Sequence, residues 1–147
     1  MSTSRRTFIA LSGAASFAPW LITQATESEA SQAIKQIVGA AKIRTGRVNL
    51  ELPPLVENGN SVVLKVSVES PMTETDFVRA IHLIAEGNPL PNIASFYLSH
   101  RSGRAVVTTR VRLNDSQRVW AIAQMNDGSF SQGHASTLVT LAACTEV

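Results

Sequence analysis

The side chain with the richest chemistry in this chain is Cys144, its single cysteine, four positions from the end of the 147 residues. A thiolate attacks electrophilic sulfur or carbon, closes disulfides and carries bound groups. One cysteine cannot form an internal disulfide, so the thiol is left over for intermolecular or covalent chemistry and the fold must stand on packing alone. The competing reading is a small buried hydrophobe, the usual fate of a free cysteine. The three histidines, His82, His100 and His134, share no metal-like spacing. A zinc site needs three or four converging ligands, so the sequence predicts neither a metal nor a cofactor. His82 falls inside an apolar run, while His100 and His134 fall near loops. A Cys-His nucleophile pair would require His134 or another base held near the sulfur. Hydrolytic enzymes hold their nucleophile on a rigid element with a base and oxyanion donors around it, and a terminal tail is a poor place for that. No GxGxxG, Walker-type loop, HExxH or CxxC occurs, so nucleotide, metalloprotease and thioredoxin-like readings have no support.

The elements that must position Cys144 begin after a leader. Ser4-Arg5-Arg6-Thr7-Phe8-Ile9 places paired arginines before an uncharged stretch from Phe8 to Ile22, the pattern of a twin-arginine export signal. About fifteen apolar residues fall short of a comfortable membrane crossing. The expectation is a leader over residues 1–25, with cleavage as late as 30, an exported periplasmic domain over 26–147, and no membrane span once the leader is removed. The chain holds 13 basic and 11 acidic residues; loss of Arg5 and Arg6 leaves 11 of each if cleavage follows Ala25. A near-neutral domain lacks the concentrated basic face that nucleic acid requires. About 120 residues make one domain able to bury a real core.

A short helix is expected over Ser31 to Ala41, where Ile34, Ile37, Val38 and Ala41 share a face. From Gly46 onward the period is two: Val62, Leu64, Val66 and Val68 alternate with Val63, Lys65 and Ser67, and Ala105, Val107, Thr109, Val111 and Leu113 oppose Val106, Thr108, Arg110 and Arg112. Turn signals such as Pro53-Pro54, Gly87-Asn88-Pro89 and Asn126-Asp127-Gly128 separate strand runs at 47–52, 62–68, 77–85, 93–98, 105–113, 117–125 and 129–141. About seven antiparallel strands fit an all-β, immunoglobulin-like sandwich, a small open barrel being the alternative. Trp120, Phe96, Tyr97 and Phe77 read as core or partner surface, and Leu52-Pro53-Pro54-Leu55 as a strand end and turn. Beyond Leu141, residues Ala142, Ala143, Cys144, Thr145, Glu146 and Val147 form an arm that extends up to about 20 Å.

The run from Gly46-Arg47-Val48-Asn49-Leu50-Glu51-Leu52-Pro53-Pro54-Leu55 to Val62, then Glu69-Ser70-Pro71-Met72-Thr73 and Asn88-Pro89-Leu90-Pro91-Asn92-Ile93-Ala94-Ser95-Phe96-Tyr97-Leu98, resembles the SoxY family, the sulfur carrier subunit of the periplasmic Sox thiosulfate-oxidising system. Arg104 to Leu113, Ala121-Ile122-Ala123-Gln124-Met125 and Asp127-Gly128-Ser129 extend the likeness. The resemblance implies a sandwich that pairs with a SoxZ-like subunit and carries thiosulfate-derived intermediates on an arm cysteine, here Cys144. It also implies that Sox-type partner enzymes, c-type cytochromes among them, act on the bound sulfur while the carrier catalyses nothing.

The arm departs from the family pattern, in which the cysteine is flanked by glycine pairs; here the residues are Ala142-Ala143-Cys144-Thr145-Glu146-Val147. Glycine allows wide backbone freedom with almost no width, whereas alanine and β-branched Thr145 and Val147 stiffen and thicken the arm. Glu146 sets a negative charge beside the thiol, disfavouring the thiolate and repelling anionic thiosulfate. Two functions compete: a sulfur carrier, and a non-carrier binding subunit that pairs with a SoxZ-like partner and keeps Cys144 packed or disulfide-linked.

Overall fold

Residues 28–141 are described in a computed structural model; the expected leader and the arm at 142–147 lie outside them. In β4 (Val62–Val68), Val62, Leu64, Val66 and Val68 are buried while Val63 and Lys65 face solvent, the alternation of a strand with one wet face. The same alternation continues through β7 (Val106–Val111), where Val111 is buried and Val106, Thr108 and Arg110 are exposed. β4 pairs antiparallel with β2 (Val48–Glu51) on one side and with β7 on the other, making a three-stranded sheet.

The second sheet contains β1 (Ile43–Thr45), β3 (Leu55–Asn58), β5 (Val78–Ala85), β6 (Asn92–Tyr97), β8 (Gln117–Met125) and β9 (Phe130–Leu141). Its order is β1-β9-β8-β5-β6, with β3 also pairing β9. Leu64 and Val66 of one sheet meet Ile81, Leu83, Val119 and Ala121 of the other in the main core. The larger sheet also buries its outer face: α1 (Glu29–Val38) lays Ala30, Ile34 and Val38 against Ile84, Ile122 and Phe130. That burial on both faces explains why β5 reads as an apolar run rather than an alternation.

The immunoglobulin-like sandwich expected from the pattern is therefore present, with all seven expected strands, and each pairs antiparallel with its sheet neighbour among them. The described residues add two short strands, β1 and β3, each parallel to β9. Three and four residues are too few to display a period. The helix begins two residues before the expected Ser31, because the Ser28 hydroxyl accepts from the Ser31 N–H at 3.3 Å and caps it. It stops three residues before Ala41 because Gly39, at φ 63°, leaves the helical region while its N–H still reaches the Lys35 carbonyl. His134 is corrected as well: it sits within β9, opposite Trp120, and not beside a loop.

One residue of β9 sets how closely the sheets approach. A Cβ built on Gly133 would run into the carbonyl oxygen of Val48 in β2, a backbone atom that cannot swing aside. Gly133→Ala is expected to force the two strands apart and to lower stability by about 1–3 kcal/mol, the usual range for overpacking. Urea unfolding of the two proteins measures the difference. An unchanged midpoint would show that the crossing has slack.

Candidate functional site

The chain that leads to Cys144 leaves from the end of β9, and the last residues of that strand are held along both edges. On one edge β3 runs parallel to it, with Leu55 opposite Leu138, Val56 opposite Val139 and Asn58 opposite Leu141. The Pro53-Pro54 pair does more than end β2. Proline offers a carbonyl and no N–H, and both carbonyls are taken: Pro53 accepts from the Thr137 hydroxyl at 2.6 Å and Pro54 from the Leu138 N–H at 2.9 Å. The Thr140 hydroxyl donates to the Glu57 carbonyl at 3.1 Å, and the Gly59 N–H donates to the Leu141 carbonyl at 2.8 Å. On the opposite edge the Ser116 hydroxyl accepts from the Val139 N–H at 2.9 Å. The root of the arm is thus a fixed post. Sequence reasoning found the strand but not these anchors, whose one visible signal was the Pro53-Pro54 pair.

Three large apolar side chains surround this post with most of their surface in water: Leu55 at 57% exposure, Leu138 at 62% and Leu141 at 62%. Leu55 and Leu138 are cross-strand neighbours, so their exposure forms one patch. An exposed apolar patch of this kind suits contact with another protein better than contact with a small solute.

The histidines do not gather around the arm. His134 lies seven residues before Leu141 on the same strand, about 23 Å along it. Its ring stacks on Trp120 with centroids 4.6 Å apart, and the Trp120 indole N–H donates to the Glu86 carboxylate at 2.6 Å. Arg118 lies over the same indole at 5.5 Å. His100 stands 3.9 Å from Glu74 and meets Phe77 edge-on. His82, nearly buried on β5, bonds Ser95 through Nδ1 at 2.8 Å and meets the Tyr97 ring edge-on. Tyr97 itself is 79% exposed, so it is surface rather than core, while Phe77 and Phe96 pack against the main core. Among the described residues no three His, Cys, Asp or Glu side chains converge as metal ligands would, and no helix is long and apolar enough to cross a membrane. Cys144, Ala142, Ala143, Thr145, Glu146 and Val147 lie outside the described residues.

Compared with known proteins, the sequence matches the family model "Sulfur oxidation protein SoxY" over residues 34–144, a span that ends on the cysteine. The chain belongs to the SoxY family. Its membership assigns it to sulfur oxidation and agrees with the carrier class rather than with the hydrolytic or metal-dependent classes. No curated protein matches the sequence. Among solved structures, the sulfur carrier protein SoxY from Chlorobium limicola f. thiosulfatophilum superposes with TM-score 0.65 at 22% identity, covering 79% of this chain and 100% of that one. A superoxide reductase (neelaredoxin) from Ignicoccus hospitalis gives 0.59 at 18% identity, over 66% of this chain and 94% of that one. Superoxide reductase from Nanoarchaeum equitans gives 0.54 at 13%, over 65% and 99%. At these identities the likeness is one of fold, which unrelated chemistries share.

Burial lowers the affinity of His82 for a proton below its ordinary value of 6.5, because the charged imidazolium loses hydration. The unfolded chain then binds more protons than the native one in the window just below that value. Stability should accordingly be complete above about pH 6.5 and fall as pH drops below it. Thermal melting across that window should show the fall in the wild type and a smaller one in His82→Phe. Equal slopes would mean that the imidazole stays solvated.

Proposed function

We propose that this SoxY-family protein is a sulfur carrier, exported to the periplasm by a twin-arginine leader over residues 1–25, that holds thiosulfate-derived intermediates covalently on Cys144. The observation that carries the reading is the anchored end of β9. A carrier needs a rigid base from which a short segment delivers a reactive sulfur to other proteins, and hydrogen bonds donated by Thr137, Leu138, Val139 and Thr140 and accepted by the Leu141 carbonyl build such a base three residues before the thiol. Two further findings support it: the family match extends to residue 144, and the SoxY of similar fold is named a sulfur carrier.

The loading step is an oxidation. The Cys144 thiolate and the terminal sulfur of thiosulfate join in a new S–S bond, giving a cysteine S-thiosulfonate and releasing two electrons. A partner of the c-type cytochrome class accepts those electrons, because the described residues of the carrier offer no redox group of their own. Partner enzymes then act on the bound group and return the thiol, and the carrier itself is not an enzyme. A SoxZ-like subunit completes the assembly, with the Leu55, Leu138 and Leu141 patch as the surface available for protein contact. His134 lies about 23 Å along β9 from Leu141, and the three residues from Leu141 to Cys144 reach only about 10 Å, which weighs against a self-contained thiol enzyme.

Intact mass spectrometry of protein recovered from the periplasm of thiosulfate-fed cells tests the reading. The expected result is an adduct on Cys144 that reductant removes, absent from Cys144→Ser, while the variant keeps the wild-type melting temperature. Sulfur-dependent activity retained by Cys144→Ser would end the carrier reading. An unmodified thiol, or one found only in protein-protein disulfides, would favour a binding subunit with a structural tail.

A further inference from the structure

At the end of the sandwich away from Leu141, the gap between the sheets opens into a cleft of about 470 Å³, within the range of small-molecule sites. Every side chain that lines it is polar. Arg44 of β1 and Ser131 of β9 are register partners, so their side chains leave the same face of the larger sheet. That face is the inner one, because the preceding pair, Ile43 and Phe130, points outward to α1. Arg47, from the turn into β2, pairs with Asp76, from the loop into β5, at 3.2 Å, and Asp127 of the β8–β9 turn completes the charges. Ten residues of β9, about 33 Å, separate Ser131 from Leu141. The cleft is therefore remote from the end of the strand that leads to Cys144.

The walls are fixed by the protein itself. The Asn126 side chain donates to the Thr75 carbonyl at 3.0 Å and accepts from the Phe77 N–H at 3.2 Å, fastening the loop before β5 to the β8–β9 turn. The Ser129 hydroxyl and N–H donate to the Asp127 carboxylate at 2.6 and 2.9 Å, and the hydroxyl bond chiefly holds that carboxyl below its ordinary range. Two groups are left over. Ser131 is only 2% exposed, yet its hydroxyl makes no hydrogen bond among the described residues. No described polar side-chain atom that is fully shut from solvent lacks a partner, so this hydroxyl opens on the cleft it lines. The Arg44 guanidinium has no ion pair within 4 Å among the described residues, although it stands near enough to Asp127 to favour the carboxylate. A nearly buried polar group without a protein partner calls for one from outside.

The charges decide what kind. Two guanidiniums and two carboxylates line the cleft, so it is formally neutral with poles of both signs. A simple anion would face Asp76 and Asp127, and a metal cation would face Arg44 and Arg47; a solute that carries both signs meets a partner for each. We propose that this cleft binds a small zwitterion, an α-amino acid with a short or polar side chain, its carboxylate at Arg44 and the Ser131 hydroxyl and its ammonium at Asp76 and Asp127. No side chain other than Arg47 donates to Asp76, and none other than Ser129 to Asp127, which leaves acceptor positions for the ammonium N–H groups. The site is independent of the thiol, and the proposal stands or falls apart from the carrier reading.

Backbone NMR of the purified protein, titrated with glycine at constant ionic strength and neutral pH, tests it. Glycine carries both poles and nothing else. The expected result is a saturable shift of the Arg44, Asp127 and Ser131 amides, with the Val111 and Leu113 amides unmoved. Acetate and methylammonium each carry one pole and should need about tenfold or more concentration for the same shift, the equivalent of one charge-assisted hydrogen bond. Arg44→Gln and Ser131→Ala should each weaken glycine binding by a similar factor while the melting temperature stays at the wild-type value. No saturable shift up to about 0.1 M glycine would leave Ser131 to solvent and overturn the proposal. Acetate as effective as glycine would make the cleft an anion site, and methylammonium as effective a cation site; either overturns it, as does glycine binding indifferent to both substitutions.

Discussion

β9 contacts β1, β2, β3 and β8, and its crossing over β2 at Gly133 is the constraint that the rest of the sandwich obeys. No Cβ fits between that position and the Val48 carbonyl, so the two sheets meet there backbone to backbone. From this crossing β9 runs toward Phe130, where it supports α1, and toward Leu141, where the arm departs. A twelve-residue strand is long for a domain of this size. Its length is what separates the helix-covered end of the molecule from the end that carries the thiol.

Both edges of β9 are occupied. β8 pairs along one, and the other is shared by β1 near its start and β3 near its end. Two short parallel strands serve there in place of one long one, which protects a strand edge that would otherwise invite pairing with another chain. The same arrangement stiffens the root of the arm. Residues 142–147 contain no glycine, and alanine, threonine and valine have fewer backbone conformations open to them than glycine has.

On the outer face of the larger sheet α1 covers Ile84, Ile122 and Phe130, Trp120 packs against the same cluster, and His134, Glu86 and Arg118 gather around the indole. Superoxide reductases share the sandwich, yet the described residues here assemble no ligand cluster. The scaffold is common to unrelated chemistries, and a chain's own chemistry is decided by the residues it places on that scaffold.

Alternation along β4 and β7 was legible in the sequence because side-chain direction in a strand is a local property, repeated every two residues whatever the strand pairs with. The same holds for the turns at Pro53-Pro54 and Asn126-Asp127-Gly128, for the helix near Ile34, and for the identity of Cys144 as the sole thiol. Other features depended on contacts between residues far apart in the chain, which no local pattern encodes. β1 and β3 are too short to form without β9 beside them; His134, read as near a loop within the expected strand run 129–141, gains its partner only when β8 brings Trp120 against it. Leu141, Gly59 and Leu113 become neighbours only when three strands and a turn have packed. The sequence by itself therefore determined the sandwich and the identity of the sole thiol. Tertiary structure alone decided how firmly the end of β9 is held, because that depends on where distant strands and turns meet it.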